Sequence, residues 1–407
     1  MKRISPYIHL ATILFAPVAS AIEHHVHGLA DVRYTVTDGI DSYLKGDYGK
    51  YRYDNGDNVS LAQGALSYRL SGESNFSALV IANGNADGVK DNVGITEAYF
   101  QYKGLPMKGG YRWKMRGGLL YPRVSMTNVL TGWASPYTLM YSAINSWLAE
   151  ELRHKSVEFS MTKLGKFSGS EYDFEVSAAI FKENDPAAAV LSWHGWTMTS
   201  RQSTRQESLA FPNSDIGFVP ENSDVFLELD DRTGYHLSSQ WTWHDHGKVL
   251  FGYYNNRGDP TVVKNVQWAW KTRFYHLGVK WQLVDGLVLI AQYLNGDTLM
   301  QSSSGKTDLV NNDYDSAFLL LSKKWGHHRI TGRIENFSVT DNDMFTFDDN
   351  NEDGHAVTLN HTYQFNKNIL IHAEYNWLDS DRPSRTRRNH SERLIERQIQ
   401  LGARYFF

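Results

Sequence analysis

Arg112, Lys114 and Arg116 occupy alternate positions in the run Tyr111-Arg112-Trp113-Lys114-Met115-Arg116. On an extended chain that spacing puts all three cations on one side, about 6.7 Å apart. Further along, Glu150, Glu151 and Arg153 close the segment Ser142-Ala143-Ile144-Asn145-Ser146-Trp147-Leu148-Ala149-Glu150-Glu151-Leu152-Arg153. Carboxylates set opposite a basic ladder across a narrow polar gap would create a transverse field that orders water and discriminates among small ions and zwitterions. Glu97, Gln101, Arg333, Glu335, His372, Glu374 and Arg404 share the polar parity of their own segments and are expected to face the same aqueous space.

Covalent chemistry finds less support. Cysteine is absent, which rules out thiolate catalysis and disulfides. The G-x-S-x-G, H-E-x-x-H and Gly-rich phosphate motifs are missing, so no enzyme is expected, although a triad assembled from distant strands would escape such a search. His24, His25 and His27, His244 with His246, and His327 with His328 lack a nameable third ligand, so no metal site is assigned. The acidic stretches Asp341-Asn342-Asp343 and Asp348 to Asp353 lack the order of a calcium loop and read as solvated. No cofactor is implied. With 41 Lys plus Arg against 45 Asp plus Glu, the charge gives no reason to expect nucleic acid as a partner.

The elements that must hold these residues alternate with period two. About sixteen segments qualify, among them Val26–Val36, Thr96–Tyr102, Trp113–Tyr121, Tyr275–Leu283, Ile369–Trp377 and Ile399–Phe407. In the Trp113 segment, Trp113, Met115, Leu119 and Tyr121 are expected on the apolar face; the faces of the Ala317 and Val357 segments are ambiguous. Connections alternate between short ones, such as 284–286 and 366–368, and mostly long ones, such as 37–61, 122–156, 181–234 and 294–316. Sorting loops by length is what a transmembrane antiparallel β-barrel with short periplasmic turns and long external loops requires, and sixteen strands leave both termini on the short-turn side. The barrel closes because unpaired amides are costly in hydrocarbon. Among twelve Trp, 23 Tyr and 19 Phe, a set lies near strand ends; its outward members suit interfacial belts and inward ones could stack on sugars. Tyr99, Tyr102, Trp241, Trp243, Trp281 and Trp325 are among them.

At the amino end, Met1-Lys2-Arg3, an apolar stretch and Ala19-Ser20-Ala21 read as a signal peptide over 1–21, leaving a barrel domain over 22–407. Segment 142–153 reads as a helix capped by Ser142 or Asn145, with Ile144, Leu148 and Leu152 forming a stripe. That stripe needs an apolar surface, and a third long loop folded inward would supply one while placing Glu150, Glu151 and Arg153 at a constriction.

Gly117-Gly118-Leu119-Leu120-Tyr121-Pro122-Arg123, the run from Ser142 to Arg153 and the aromatic carboxyl terminus resemble Gram-negative outer-membrane porins, particularly the porin-like group related to phosphate-selective porins. The resemblance implies a 16-stranded barrel in the outer membrane, often a homotrimer, with an inward third loop. It also implies contact with outer-membrane lipid and lipopolysaccharide, and delivery by the barrel-assembly machinery through the closing strand. Phosphate-selective members carry runs of basic residues in the constriction, whereas here Arg112, Lys114 and Arg116 are followed by Glu150 and Glu151. The expectation is therefore a general porin passing ions and small hydrophilic solutes by diffusion. An anion- or saccharide-selective channel and an occluded barrel used for surface attachment through 181–234 are the alternatives.

Overall fold

A computed structural model describes residues 22–407, apart from 73, 213, 214 and 346. The expected signal peptide lies outside the described residues. Sixteen antiparallel strands form one closed barrel in which each pairs with its sequence neighbours and the last pairs with the first. They are β1 (Glu23–Asp38), β2 (Gly56–Ser71), β3 (Phe76–Ala86), β4 (Asn92–Lys103), β5 (Tyr111–Leu120), β6 (His154–Lys163), β7 (Tyr172–Lys182) and β8 (Gly234–Trp243). There follow β9 (Gly247–Asn255), β10 (Lys271–Val284), β11 (Leu287–Gln301), β12 (Asp308–Trp325), β13 (His328–Asp341), β14 (Glu352–Gln364), β15 (Ile369–Asp381) and β16 (Arg393–Phe406). Closure runs from Leu29↔Phe406 to Asp38↔Arg397, and Gly28 lets the Phe407 ring lie where a Cβ would otherwise stand.

The turns and loops sort to opposite ends. Connections 285–286 and 326–327 are tight, while 39–55, 121–153 and 183–233 are long. The sequence overstates some loops: β11 and β12 run on as a hairpin to a turn at 302–307, where the adjacent apolar pairs Leu299-Met300 and Leu309-Val310 break the period-two pattern.

Outward faces are apolar, and their rings form a belt at the short-turn end, including Tyr102 against Trp113 at 4.6 Å and Trp243 against Trp281 at 5.6 Å. Tyr99 and Tyr121 do not join it. A bulge in β4 resets its phase, turning Thr96 and Glu97 both inward and placing the Tyr99 ring 5.4 Å from the Arg116 guanidinium. Tyr121, expected to face lipid, lies past the end of β5 and stacks inside on Trp133 at 4.4 Å.

The inner wall is not uniformly polar. Phe274, Leu294, Phe318, Leu320 and Phe337 point inward from β10 to β13 and are buried, which is why the strand around Ala317 could not be assigned a face by alternation alone. They pack on α1 (Ala143–Glu151), whose Ile144, Trp147 and Leu148, with Leu152 just beyond, join the same cluster. Trp147 meets Phe274 and Tyr314 edge-on at 5.3 Å each. Each such side chain contributes about 1.5–3 kcal/mol on full burial. Ser142 caps the helix, its Oγ accepting the Asn145 amide at 3.2 Å. The second helix, α2 (Ala189–His194), covers the other side of α1 from loop 183–233.

Candidate functional site

The inward charges of β1, β13, β15 and β16 hold the third loop. Glu374 accepts the amides of Leu139 at 2.6 Å and Met140 at 2.8 Å; Glu335 accepts that of Ala143 at 2.9 Å. Arg333 donates to the carbonyls of Met140 and Tyr141 at 3.0 and 2.9 Å while pairing with Glu335 at 2.8 Å. Arg404 bridges Asp31 and the Ser135 carbonyl, both at 2.7 Å, and His372 meets Thr362 at 3.1 Å. A buried loop must satisfy its backbone donors and acceptors, and these charged side chains supply partners for several of them.

Glu150, Glu151 and Arg153 do not face Arg112, Lys114 and Arg116 across an aperture. Glu150 accepts a hydrogen bond from the Tyr43 hydroxyl, from loop 39–55. Glu151 accepts from Trp147 Nε1 at 2.7 Å and from the amides of Val190 and Leu191 in α2 at 2.9 and 3.0 Å. Burial pushes the Glu150 carboxyl up to about 7 and that of Glu151 to about 8. Arg153 lies between the rings of Tyr121 and Phe226, 5.0 and 4.5 Å from their centres. The expectation of an acidic constriction missed that two further loops enter the barrel and cover the outer face of α1.

Lys114 and Arg116 of the basic ladder face inward at the short-turn end, with Arg112 in the same alternate row of β5. Arg116 forks onto Glu158 at 2.9 and 3.0 Å, and Arg123, from the start of the third loop, shares that carboxylate at 2.6 Å and also pairs with Glu175. Lys114, Arg116, Arg123, Lys248 and Glu97 line a cavity of about 320 Å³. Among the described residues neither Lys114 nor Lys248 forms a salt bridge. Gln101 sits opposite Arg116 in register. Lys280 and Arg329 approach the Tyr137 ring at 5.6 and 5.2 Å. Arg123, Lys248, Lys280 and Arg329 went unassigned in the sequence reading; strand parity near the tight turns is the signal that finds the last three.

Above this vestibule the loops cover the inner wall on all sides. Thr35, Thr96, Thr272, Asn312, Thr358 and Gln400, spread around the wall, are each 0–1% exposed. Two loops meet the wall at one node: Lys50 pairs with Glu352 of β14, which also accepts the Trp196 amide at 2.8 Å.

A closed sixteen-stranded barrel with inward loops and a charged inner mouth defines an outer-membrane protein of the porin type. Residues 179–407, more than half of the chain, match the family described as "Putative beta-barrel porin-2, OmpL-like", and the chain belongs to that family. No curated protein matches it. Among solved structures it is similar to the anion-selective porin from Comamonas acidovorans, with 11% identity, TM-score 0.53 and coverage of 95% of this chain and 100% of that one. It is also similar to Salmonella typhi OmpF in complex with daunomycin, with 12% identity, TM-score 0.51 and coverage of 94% and 97%. At these identities the shared property is the fold. The finer relation to phosphate-selective porins rests on the sequence resemblance alone.

Proposed function

We propose that this porin passes small ions passively, prefers anions, and conducts sparingly because three inward loops form its barrier. The short turns face the periplasm in this reading, so the basic vestibule opens inward and the loop barrier lies toward the cell exterior. The observation that carries it is the withdrawal of Glu150 and Glu151 into the loop core. Their absence from the aqueous mouth leaves Lys114, Arg116, Arg123 and Lys248 facing chiefly Glu97 across the cavity, with Glu158 and Glu175 already committed to arginines. A cationic mouth with low-dielectric walls concentrates anions. Lipid and lipopolysaccharide surround the outward face, and a homotrimer would bury part of it.

Single-channel recording in planar bilayers under a KCl gradient tests this. Small steps with a reversal potential of anion-selective sign are expected; cation-selective steps would overturn the selectivity. The burial of the wall at mid-height favours a second reading, an occluded barrel acting through its surface loops, and silence from folded protein would support that instead.

A further inference from the structure

A second cavity, of about 270 Å³, lies at the short-turn end beside the closing strand. Its wall follows the inward rows of five strands: Lys324 on β12, Arg329 on β13, Thr362 and Gln364 on β14, Leu370 on β15 and Phe406 on β16. Register fixes that order, since Lys324 stands opposite Arg329, Arg329 opposite Thr362, and Gln364 opposite Leu370. Leu130 and Pro136 of the third loop complete the lining.

The two sides of this cavity differ in kind. Lys324 and Arg329 make one side cationic, Lys367 adds a third cation from the turn between β14 and β15, and no Asp or Glu lines the space. Among the described residues none of the three forms a salt bridge. The Arg329 guanidinium is held in place by the Ser322 hydroxyl, which accepts from Nη1 at 3.1 Å, and by the Tyr137 ring, 5.2 Å away. Its Nε and Nη2 donate to no described protein atom. The opposite side is apolar: Leu370 and Phe406 stand there with Leu130 and Pro136, and the buried Leu29, Ala65 and Ala134 anchor Leu130 and Phe406.

We propose that this cavity binds a small amphipathic carboxylate, with its head on Arg329 and Lys324 and its hydrocarbon body along Leu370 and Phe406. The planar guanidinium fork matches the two oxygens of a carboxylate. Chloride or phosphate would use the cations and leave the apolar side unfilled, whereas a hydrocarbon body gains with every methylene it withdraws from water. The volume sits near the lower end of the range for ligand pockets, about 300–1,000 Å³, which limits the body to a short chain or a single ring. Lys324, His327 and Lys367 are exposed and mark the entrance at the short turns. The ligand therefore arrives from the periplasm, a direction that rests on the orientation proposed above; the binding itself does not.

Isothermal titration of the folded, detergent-solubilised barrel with butyrate, hexanoate, hexanol and inorganic phosphate tests this, with heat-modifiable migration confirming the fold. One hexanoate per barrel is expected, and each methylene from butyrate to hexanoate should tighten binding about two- to fourfold. R329Q should weaken hexanoate about tenfold or more, K324Q with K367Q several-fold, and L370A should flatten the dependence on chain length. Absence of hexanoate binding to the folded parent overturns the site, as does full affinity in both folded R329Q and the folded lysine double variant. Phosphate binding as tightly as hexanoate would overturn the amphipathic ligand, and hexanol doing so would overturn the role of the cations. Binding requires only the folded barrel, so a failure to conduct would strike the pore reading and leave this site standing.

Discussion

Glu335 accepts the backbone N–H of Ala143 at 2.9 Å, so a carboxylate rooted in the wall strand β13 caps the first residue of α1. The contact places negative charge at the positive end of the helix and satisfies an amide that has no partner within it. The wall thereby holds the loop by its backbone, and the loop in turn neutralises a wall that would otherwise carry buried charges.

Replacing Glu335 by Ala leaves Arg333 buried without its carboxylate, a change that typically costs about 3–5 kcal/mol. The loop is expected to loosen before the barrel does. Single-channel conductance should rise while heat-modifiable migration persists, and an unchanged conductance in the folded variant would show that this contact does not hold the barrier.

The closed loop arrangement should weaken as pH rises. Glu150 and Glu151 have folded-state values raised by burial to about 7 and about 8. The native loop therefore binds protons that a released loop has lost above about 4.5, and the difference diminishes stability with increasing pH. Their contribution is complete below about 4.5 and is lost as pH rises through about 7 to 8. Conductance should be greater at pH 8.5 than at pH 5, and E150Q with E151Q should flatten the profile; a wild-type profile of the opposite slope would contradict the assignment.

Of the cations lining the cavity, Lys114 and Lys248 form no salt bridge among the described residues, so they should contribute directly to selectivity. K114E combined with K248E is expected to move the reversal potential in a KCl gradient toward the cation side, with little change in folding. A reversal potential that stays put would locate the selective step elsewhere.

Gly195 adopts φ +73, and a Cβ there would stand 1.9 Å from Glu352 Oε2 and 2.8 Å from Lys50 Nζ. With ψ −169 this is a conformation almost confined to glycine, so G195A should strain the backbone by about 1–3 kcal/mol and disturb the Lys50–Glu352 node as well. Gly169, at φ +68 with open space around it, supplies the control, since G169A carries the backbone cost alone. Thermal loss of heat-modifiable migration should occur at a lower temperature in G195A than in G169A; equal shifts would mean that the node adds nothing.

The number of strands, their antiparallel order and the inward side of Arg112, Lys114, Arg116, Arg333, Glu335, His372, Glu374 and Arg404 were legible from alternation, because a sheet with one apolar and one polar face imposes period two on its residues. The Ser142 cap and the apolar stripe of α1 were equally local. Tyr121 was misread because a strand end breaks the period without changing composition. What Glu150, Glu151 and Arg153 face depends on Tyr43, Val190, Leu191 and Phe226, residues from two other loops that no local pattern brings near them. The cavity that joins Arg329 to Leu370 and Phe406 depends on the register of β12 to β16 and on where Leu130 and Pro136 come to rest. Such long-range contacts are set by how loops share a closed interior, and that packing, rather than the strand pattern, decides whether the lumen is a channel or a barrier.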